Sequence, residues 1–544
     1  MRGTMMDFPL TLHHVFERGV RLFPEREIVT GGERGTHRYT YRDFEERVRR
    51  LGSALQGLGL RPGERVATFG WNTYRHLELY FGVPLLGSVL HTLNIRLFHE
   101  QVSYIVNHAE DRFLCIDRSL LPTVRQLLPS LRTVEQVIVM DDGSDVDPGD
   151  LLDYDALVER GDPRHEFGRF HESEAAMMCY TSGTTGNPKG VAYSHRALTL
   201  HSFGVCVADT MGISMRDTTM AVVPMYHANA WGIPYGSTFV GAKQVLPGVA
   251  PAPDRLLALL RDEQVTLAAG VPTIWIGLLP AIQSGAYDLS RLQRLIVGGS
   301  AAPRGLIEAY DKAGLNIVHA WGMTEMSPIG TISRLKAHVE DASADQQLTY
   351  RAKQGLSVPG VELRAVDGDG AEVPRDGQTM GELVVRGPWV TGAYHNDERS
   401  SGSFTDDGWF RTGDVVTVDP EGYIEIADRT KDLIRSGGEW ISSVALENAL
   451  MAHPKVLEAA VIAIPDERWT ERPLACIVPT PEARGQIEDA ELAGFLERSF
   501  AKWWLPDRYL YLDELPKTSV GKFDKKALRQ NYAEVAAPSG TISH

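Results

Sequence analysis

A chain of 544 residues is far longer than the roughly 100–200 of one domain, so two or more domains are expected. With 43% hydrophobic and 23% charged residues it has the make-up of a globular protein, and a net charge of −16 excludes a general binder of nucleic acid or anionic membrane. Any polyanionic ligand must therefore meet positive charge gathered locally. Cys115, Cys179, Cys206 and Cys476 are scattered in apolar contexts without metal-ligand spacing, and they read as reduced core residues.

In chain order, residues 1–9 show no apolar core and no cleavage-like site, so no secretory signal is expected. Residues 41–58 have apolar side chains at helical spacing, with Gly59 near the end. Residues 65–69 read as a short strand. The apolar stretch 77–93 is broken by Gly82, Pro84, Gly87 and Ser88 and falls short of a membrane span. Residues 140–150 are acidic and rich in Gly, Ser and Pro, which predicts a surface loop. Strand, helix-like run and strand recur at 66–93 and again at 221–246, with the second helix placed over 231–240. That echo predicts two similar α/β layers. Residues 360–422 alternate short apolar segments with Asp/Gly turns, which predicts a β-rich subdomain over about 355–428. A charged glycine-bearing link at 429–435 is followed by helix, strand and helix patterns at 443–451, 457–464 and 489–500. The expected domains are thus 1–428, a hinge at 429–435, and a small α+β domain at 436–544.

The stretch from Tyr180 carries the first chemistry: Tyr-Thr-Ser-Gly-Thr-Thr-Gly-Asn-Pro-Lys-Gly, ending at Gly190. Ser182, Gly183, Thr184, Thr185 and Gly186 can turn backbone N–H groups and hydroxyls onto a polyphosphate, with Lys189 as a point charge. The usual nucleotide loop places Ser or Thr directly after Gly-Lys and then a helix. Here Pro188 precedes Lys189 and a strand-like Val-Ala-Tyr follows Gly190, so the loop is expected to join two strands.

This string resembles the phosphate-binding signature of the adenylate-forming superfamily, which contains acyl-CoA synthetases, firefly luciferase and peptide-synthetase adenylation domains. Further blocks follow in that superfamily's order. Val-Val-Pro-Met-Tyr-His227-Ala-Asn-Ala-Trp231 is similar to the segment lining its acyl and adenylate pocket. Gly298-Gly299-Ser300-Ala301 resembles the turn along its adenine and acyl carbonyl. Trp321-Gly322-Met-Thr324-Glu325 matches its aromatic-Gly-x-Thr-Glu motif, with Trp where Tyr is common, and His319 and Ala320 just before it fall among the nucleotide residues. The resemblance makes Trp321 a stacking face for adenine, Thr324 a donor to the α-phosphate, and Glu325 with Thr181 the ligands of Mg²⁺. Thr-Gly-Asp414 would hold the ribose with Arg429, Lys431 would be the pivot, and Arg435 joins the nucleotide set. Gly437, Gly438 and Trp440 would line the CoA channel. Pro-x-Thr-x-x-Gly-Lys522 would bring Lys522 to the reacting centre. The implied catalytic set is Lys522, Thr181, Glu325 and His227.

The implied enzyme is an AMP-forming acyl-CoA synthetase using ATP, Mg²⁺ and coenzyme A, cytoplasmic and a homodimer, with no nucleic-acid partner and no transmembrane segment. The wording between motifs is most similar to bacterial medium- and long-chain fatty acyl-CoA synthetases, with methylthiopropionate-CoA ligases nearly as close. A short or aryl acid, a carrier protein in place of CoA, and luciferase-like oxygenation remain open alternatives. One absence bears on the acid: residues 218–253 hold no Asp or Glu, and Lys243 is their only formal charge.

Overall fold

Two parallel-rich sheets carry the N-terminal unit, and their positions follow from apolar runs with no alternation. The fold is that of a computed structural model describing residues 1, 3–32, 35–181, 187–436, 439–466, 468–517 and 523–532. The larger sheet has nine strands, in the order Leu356–Ser357, Ile329–Ile332, Ile317–Gly322, Arg294–Val297, Leu267–Gly270, Thr218–Ala221, Lys243–Leu246, Glu27–Thr30 and His37–Thr40. The strands from Ile317–Gly322 to Glu27–Thr30 pair in parallel. Such strands need helices on both faces. Helices Pro253–Asp262, Pro272–Gln283 and Arg304–Lys312 supply one cover, burying Leu257, Trp275 and Ile307 completely.

The second sheet has seven strands: Leu152–Asp153, Gln136–Met140, Asp111–Asp117, Arg65–Phe69, Val89–Thr92, Ala175–Tyr180 and Gly190–Ser194. All pair in parallel except the last, which runs antiparallel to Ala175–Tyr180. The predicted helix near 41–58 is Tyr41–Gly57, started by a capping box between Thr40 and Asp43. The two predicted α/β layers are these two sheets. One detail differs: the helix expected over 231–240 begins only at Ile233, because residues 228–232 wind left-handed.

Asn72 ties the two sheets together. Just past strand Arg65–Phe69, its amide nitrogen donates to the carbonyls of Ala221 and Val223, each at 2.9 Å, and its oxygen accepts from the Met225 N–H at 2.7 Å. The backbone of the segment leading to His227 is thereby fastened to the other sheet.

The chain divides into two compact units, Met1–Glu362 with Arg386–Phe410, and Leu363–Val385 with Arg411–His544. In the second, strand Phe410–Val418 pairs antiparallel with Ile424–Arg429 in a four-stranded sheet that also holds Glu362–Val366 and Gly381–Arg386. A five-stranded sheet is built on the long hairpin Val456–Asp466 and Thr470–Pro479. Helix Ser443–Met451 covers it as expected, whereas the helix expected over 489–500 stops at Leu496. Phe500 there turns away to stack on Trp504, ring centroids 5.6 Å apart. Among the described residues no helix is long and apolar enough to cross a membrane, and all four cysteines are free.

Candidate active site

The neck of the glycine- and hydroxyl-rich loop is a two-strand ladder. Tyr180 pairs with Gly190, the Thr181 N–H donates to the Lys189 carbonyl at 2.9 Å, and the Lys189 N–H donates to Thr181 Oγ1 at 3.3 Å. The loop joins two strands, as its sequence predicts. Ser182, Gly183, Thr184, Thr185 and Gly186 lie outside the described residues. Gly190 has no room for a side chain, since a Cβ would come within 2.8 Å of the Tyr180 ring.

Across from the neck lies the turn Thr324–Met326, at the end of strand Ile317–Gly322 in the larger sheet. Tyr193, on the strand after the loop, donates to the Thr324 carbonyl at 2.7 Å. Glu325 is buried and accepts from the Tyr394 hydroxyl at 2.7 Å, while the Lys189 ammonium lies 4.4 Å from the Tyr394 ring centroid. Burial, then the Glu325 charge, raises the Tyr394 phenol above its ordinary value, so it remains a donor. No group of three or more His, Cys, Asp or Glu gathers to hold a metal among the described residues. One carboxylate and one hydroxyl, Glu325 and Thr181, is a donor set that suits Mg²⁺, which takes one or two carboxylates and fills its other positions with water and phosphate.

The predicted shelf residues converge. A Cβ on Gly298 would lie 2.8 Å from the Ala320 carbonyl and 3.4 Å from Trp231, and one on Gly299 3.9 Å from Trp231. Ser300 and Ala301 continue this turn, whose Ala302 N–H donates to His319 Nε2 at 3.3 Å. Nδ1 of His319 therefore carries the proton and donates to the Ala352 carbonyl at 3.0 Å. Burial drops this imidazole to about 4, so it is a neutral strut. Trp321 rests on Gly330, where a Cβ would come within 2.6 Å of the indole, and Gly322 is held just as tightly, a Cβ there meeting the Pro328 carbonyl at 2.0 Å.

His227 and Trp231 flank a strained turn. Ala228, Asn229, Ala230 and Trp231 have φ of 43°, 57°, 48° and 57°, and Gly232 follows at 75°. Each non-glycine residue in this region costs about 1–2 kcal/mol. Burial of the whole turn helps offset that strain, and Gly232 packs where a Cβ would meet the His201 ring at 2.5 Å. Trp231 is consequently laid against the Gly298–Gly299 turn.

In the second unit, Asp414 and Arg429 are register partners joined by an ion pair of 2.6 Å, the carboxylate buried and the guanidinium partly exposed. Lys431 follows, and burial lowers its ammonium below the ordinary lysine value. Arg435 pairs across the ladder with Trp440, which is half-buried. Gly437, Gly438, Thr518, Gly521 and Lys522 lie outside the described residues. Neighbouring cations are already engaged: Lys517 with Glu458 at 2.5 Å, Lys525 with Glu447 at 2.7 Å, and Arg529 with Asp432.

The sequence reading missed Asn72, Tyr193, His201 and Tyr394. All act by tertiary contact with residues far away in the chain.

The neck of a hydroxyl- and glycine-rich sequence, set opposite a buried carboxylate and with an aromatic–glycine shelf in the same unit, is the arrangement expected of an enzyme of the adenylate-forming class. The "AMP-binding enzyme" family matches residues 16–395, and its C-terminal domain matches residues 445–522. A long-chain-fatty-acid–CoA ligase of Thermus thermophilus is 49% identical over 533 residues, covering 97% of both chains. A 3-methylmercaptopropionyl-CoA ligase of Ruegeria pomeroyi is 45% identical over 541 residues, covering 98% of this chain and 99% of its own. Among solved structures, the anthranilate CoA ligase AuaEII in complex with anthranoyl-AMP superposes with a TM-score of 0.85 at 26% identity, covering 98% of this chain and 99% of its own. The chain belongs to the AMP-binding enzyme family. It is an AMP-forming acid–CoA ligase that uses ATP, Mg²⁺ and CoA.

Proposed function

We propose that the acid is an apolar, fatty carboxylic acid without an amino group. The carrying observation is the segment 218–253, which has no Asp or Glu and whose Lys243 is neutralised by Glu27 and Glu263 at 2.8 and 2.9 Å. A substrate ammonium buried there would lack a carboxylate partner, at a cost of several kcal/mol. Each buried CH₂ of an alkyl chain contributes about 0.8 kcal/mol. The Thermus and Ruegeria relatives support an apolar acid but differ in its length. The second reading is accordingly a short thioether acid, with Trp231 flooring a shallow pocket beside Gly298; in the first, Trp231 is a wall or gate that leaves room for a longer chain.

In the first half-reaction the carboxylate, ionised at neutral pH, attacks the α-phosphorus of ATP. The bond from that phosphorus to the leaving pyrophosphate oxygen breaks, giving acyl-adenylate and pyrophosphate. No general base is required, so the enzyme contributes positioning and electrostatics. We assign Ser182 to Gly186 and Lys189 to the phosphates, Thr324 to the α-phosphate, and Trp321, His319, Ala320, Gly322, Gly299, Ser300 and Ala301 to the adenine and carbonyl shelf. Glu325 and Thr181 would hold Mg²⁺, which supplies charge neutralisation when bound. His227, Trp231 and Gly298 line the acyl side. Asp414 and Arg429 take the ribose, and Lys522 meets charge at the reacting centre.

In the second half-reaction the hinge at residues 429–435 turns about Lys431, beside Arg435. Gly437, Gly438 and Trp440 then line the thiol's approach. The CoA sulfur attacks the adenylate carbonyl, the carbon–oxygen bond to AMP breaks, and the thiol proton is released. A cytoplasmic location and a homodimer complete the reading; cell fractionation and sedimentation of the purified enzyme test these two points. The substrate assignment is tested by thioester formation from straight-chain acids of three to sixteen carbons, 3-methylthiopropionate and an α-amino acid. Activity rising with chain length supports the first reading, a maximum at the thioether acid the second, and preference for the amino acid overturns both.

A further inference from the structure

Residues 391–395 cross between the two halves of the phosphate site. The Thr391 N–H donates to the Glu325 carbonyl at 2.7 Å, and the Tyr394 hydroxyl to Glu325 Oε1 at 2.7 Å. The Tyr394 ring lies under the Lys189 ammonium, 4.4 Å from centroid to nitrogen. The His395 N–H then donates to the Gly190 carbonyl at 2.8 Å, bridging the strand that closes the loop neck. Lys189 and Gly190 belong to the seven-stranded sheet's loop, and Glu325 to a turn leaving the nine-stranded sheet. One short segment therefore holds both. The segment is itself fixed: the Tyr394 N–H donates to Ser400 Oγ at 3.0 Å, Thr391 Oγ1 to the Ala393 carbonyl at 2.7 Å, and the Tyr394 side chain is buried.

We propose that residues 391–395 form a strap that registers Lys189 and Gly190, at the neck of the loop assigned to phosphate, against Glu325, with Tyr394 as its positioning residue. The phenol aims the Glu325 carboxylate without neutralising it, because a hydroxyl donor leaves the negative charge in place. The same ring parks the Lys189 ammonium. A cation on a neutral aromatic face is held more weakly than one paired with phosphate, so an arriving triphosphate draws Lys189 off the ring. Phenylalanine keeps the ring and loses the hydroxyl, so it meets only the second function, and leucine meets neither. This inference rests on the assignment of Glu325 to the metal.

The test uses the full-length enzyme as wild type, Tyr394→Phe, Tyr394→Leu, Glu325→Gln and the Tyr394→Phe/Glu325→Gln pair. Calorimetry measures the affinity for ATP with Mg²⁺ and for ATP in chelator, and thermal unfolding without nucleotide monitors the fold. Glu325→Gln should collapse the preference for Mg²⁺-ATP. Tyr394→Phe should reduce that preference about tenfold, the size of one hydrogen bond to a charged group, and leave metal-free ATP binding within about twofold. In the Glu325→Gln background the same change should add less than about twofold, because the bond it removes is no longer charge-assisted. Tyr394→Leu should also tighten metal-free ATP binding several-fold, because Lys189 is then no longer held on a ring in the free enzyme. Tyr394→Phe binding like wild type while Glu325→Gln does not would overturn the strap alone, as would penalties that multiply in the pair. An unchanged preference in Glu325→Gln would remove the metal assignment and the strap with it.

Discussion

The ends of the N-terminal unit assigned to phosphate and to the acyl group hold their residues by opposite means. At the end assigned to phosphate, Thr181, Lys189, Glu325 and Tyr394 are linked by hydrogen bonds and a cation over a ring, and the backbone leading into the neck is an antiparallel ladder. At the acyl end Trp231 is delivered by a buried left-handed turn of four non-glycine residues, against glycines, with no carboxylate in the flanking segment. Directional polar contacts fix where charge is stabilised, so changes at the first end should appear in rate. Shape alone defines the second, so changes there should appear in which acid is taken.

The largest expected effect lies in the charge group assigned to the reacting centre. Lys522→Ala should slow adenylate formation by about 10²–10³-fold, the usual loss for one preorganised electrostatic group. Thioester formation from supplied acyl-adenylate should be preserved, as read by rapid-quench assay. Equal loss in both half-reactions would break the separation of roles. Next is Trp231→Ala, expected to shift the preferred acid with little change in ATP affinity. Each further CH₂ the pocket admits is worth about fourfold in kcat/KM, and an unaltered chain-length profile would remove Trp231 from the pocket.

Smaller is Lys431→Pro, which restricts φ at the assigned pivot. Thioester formation should fall about tenfold while pyrophosphate exchange changes less, a ratio resolved by assaying the half-reactions separately. The smallest concerns the strut under the shelf. His319 is held at about 4, below its unfolded value near 6.5, so the unfolded chain binds the extra proton between those limits. Its contribution to stability is complete above pH 6.5 and is lost as the pH falls toward 4. His319→Gln should reduce the steepness of Tm against pH in that window by at most one proton's worth, about 1.4 kcal/mol per pH unit.

The same contrast explains what was readable from the chain. Strands such as Arg65–Phe69 and Ala175–Tyr180 are apolar runs with punctuated ends, and the loop between Tyr180 and Gly190 combines residue types that serve phosphate. Local chemistry sufficed there. The left-handed turn was not readable, because Ala and Trp disfavour positive φ, one Asn among them does not specify a run of four, and the turn packs on His201 and Gly298. The roles of Tyr394 and Asn72 were hidden for another reason: both contact elements far off in sequence, and no periodicity encodes such pairings.

The central claim is a two-step ligase that forms an acyl-adenylate before CoA takes part. Its most direct test is pyrophosphate release measured across a panel of carboxylic acids, with and without CoA. The account predicts an acid-dependent burst of about one pyrophosphate per enzyme without CoA, continued turnover with it, and acyl-CoA and AMP formed in equal amounts. Release of inorganic phosphate and ADP, or no pyrophosphate until CoA is added, would contradict it.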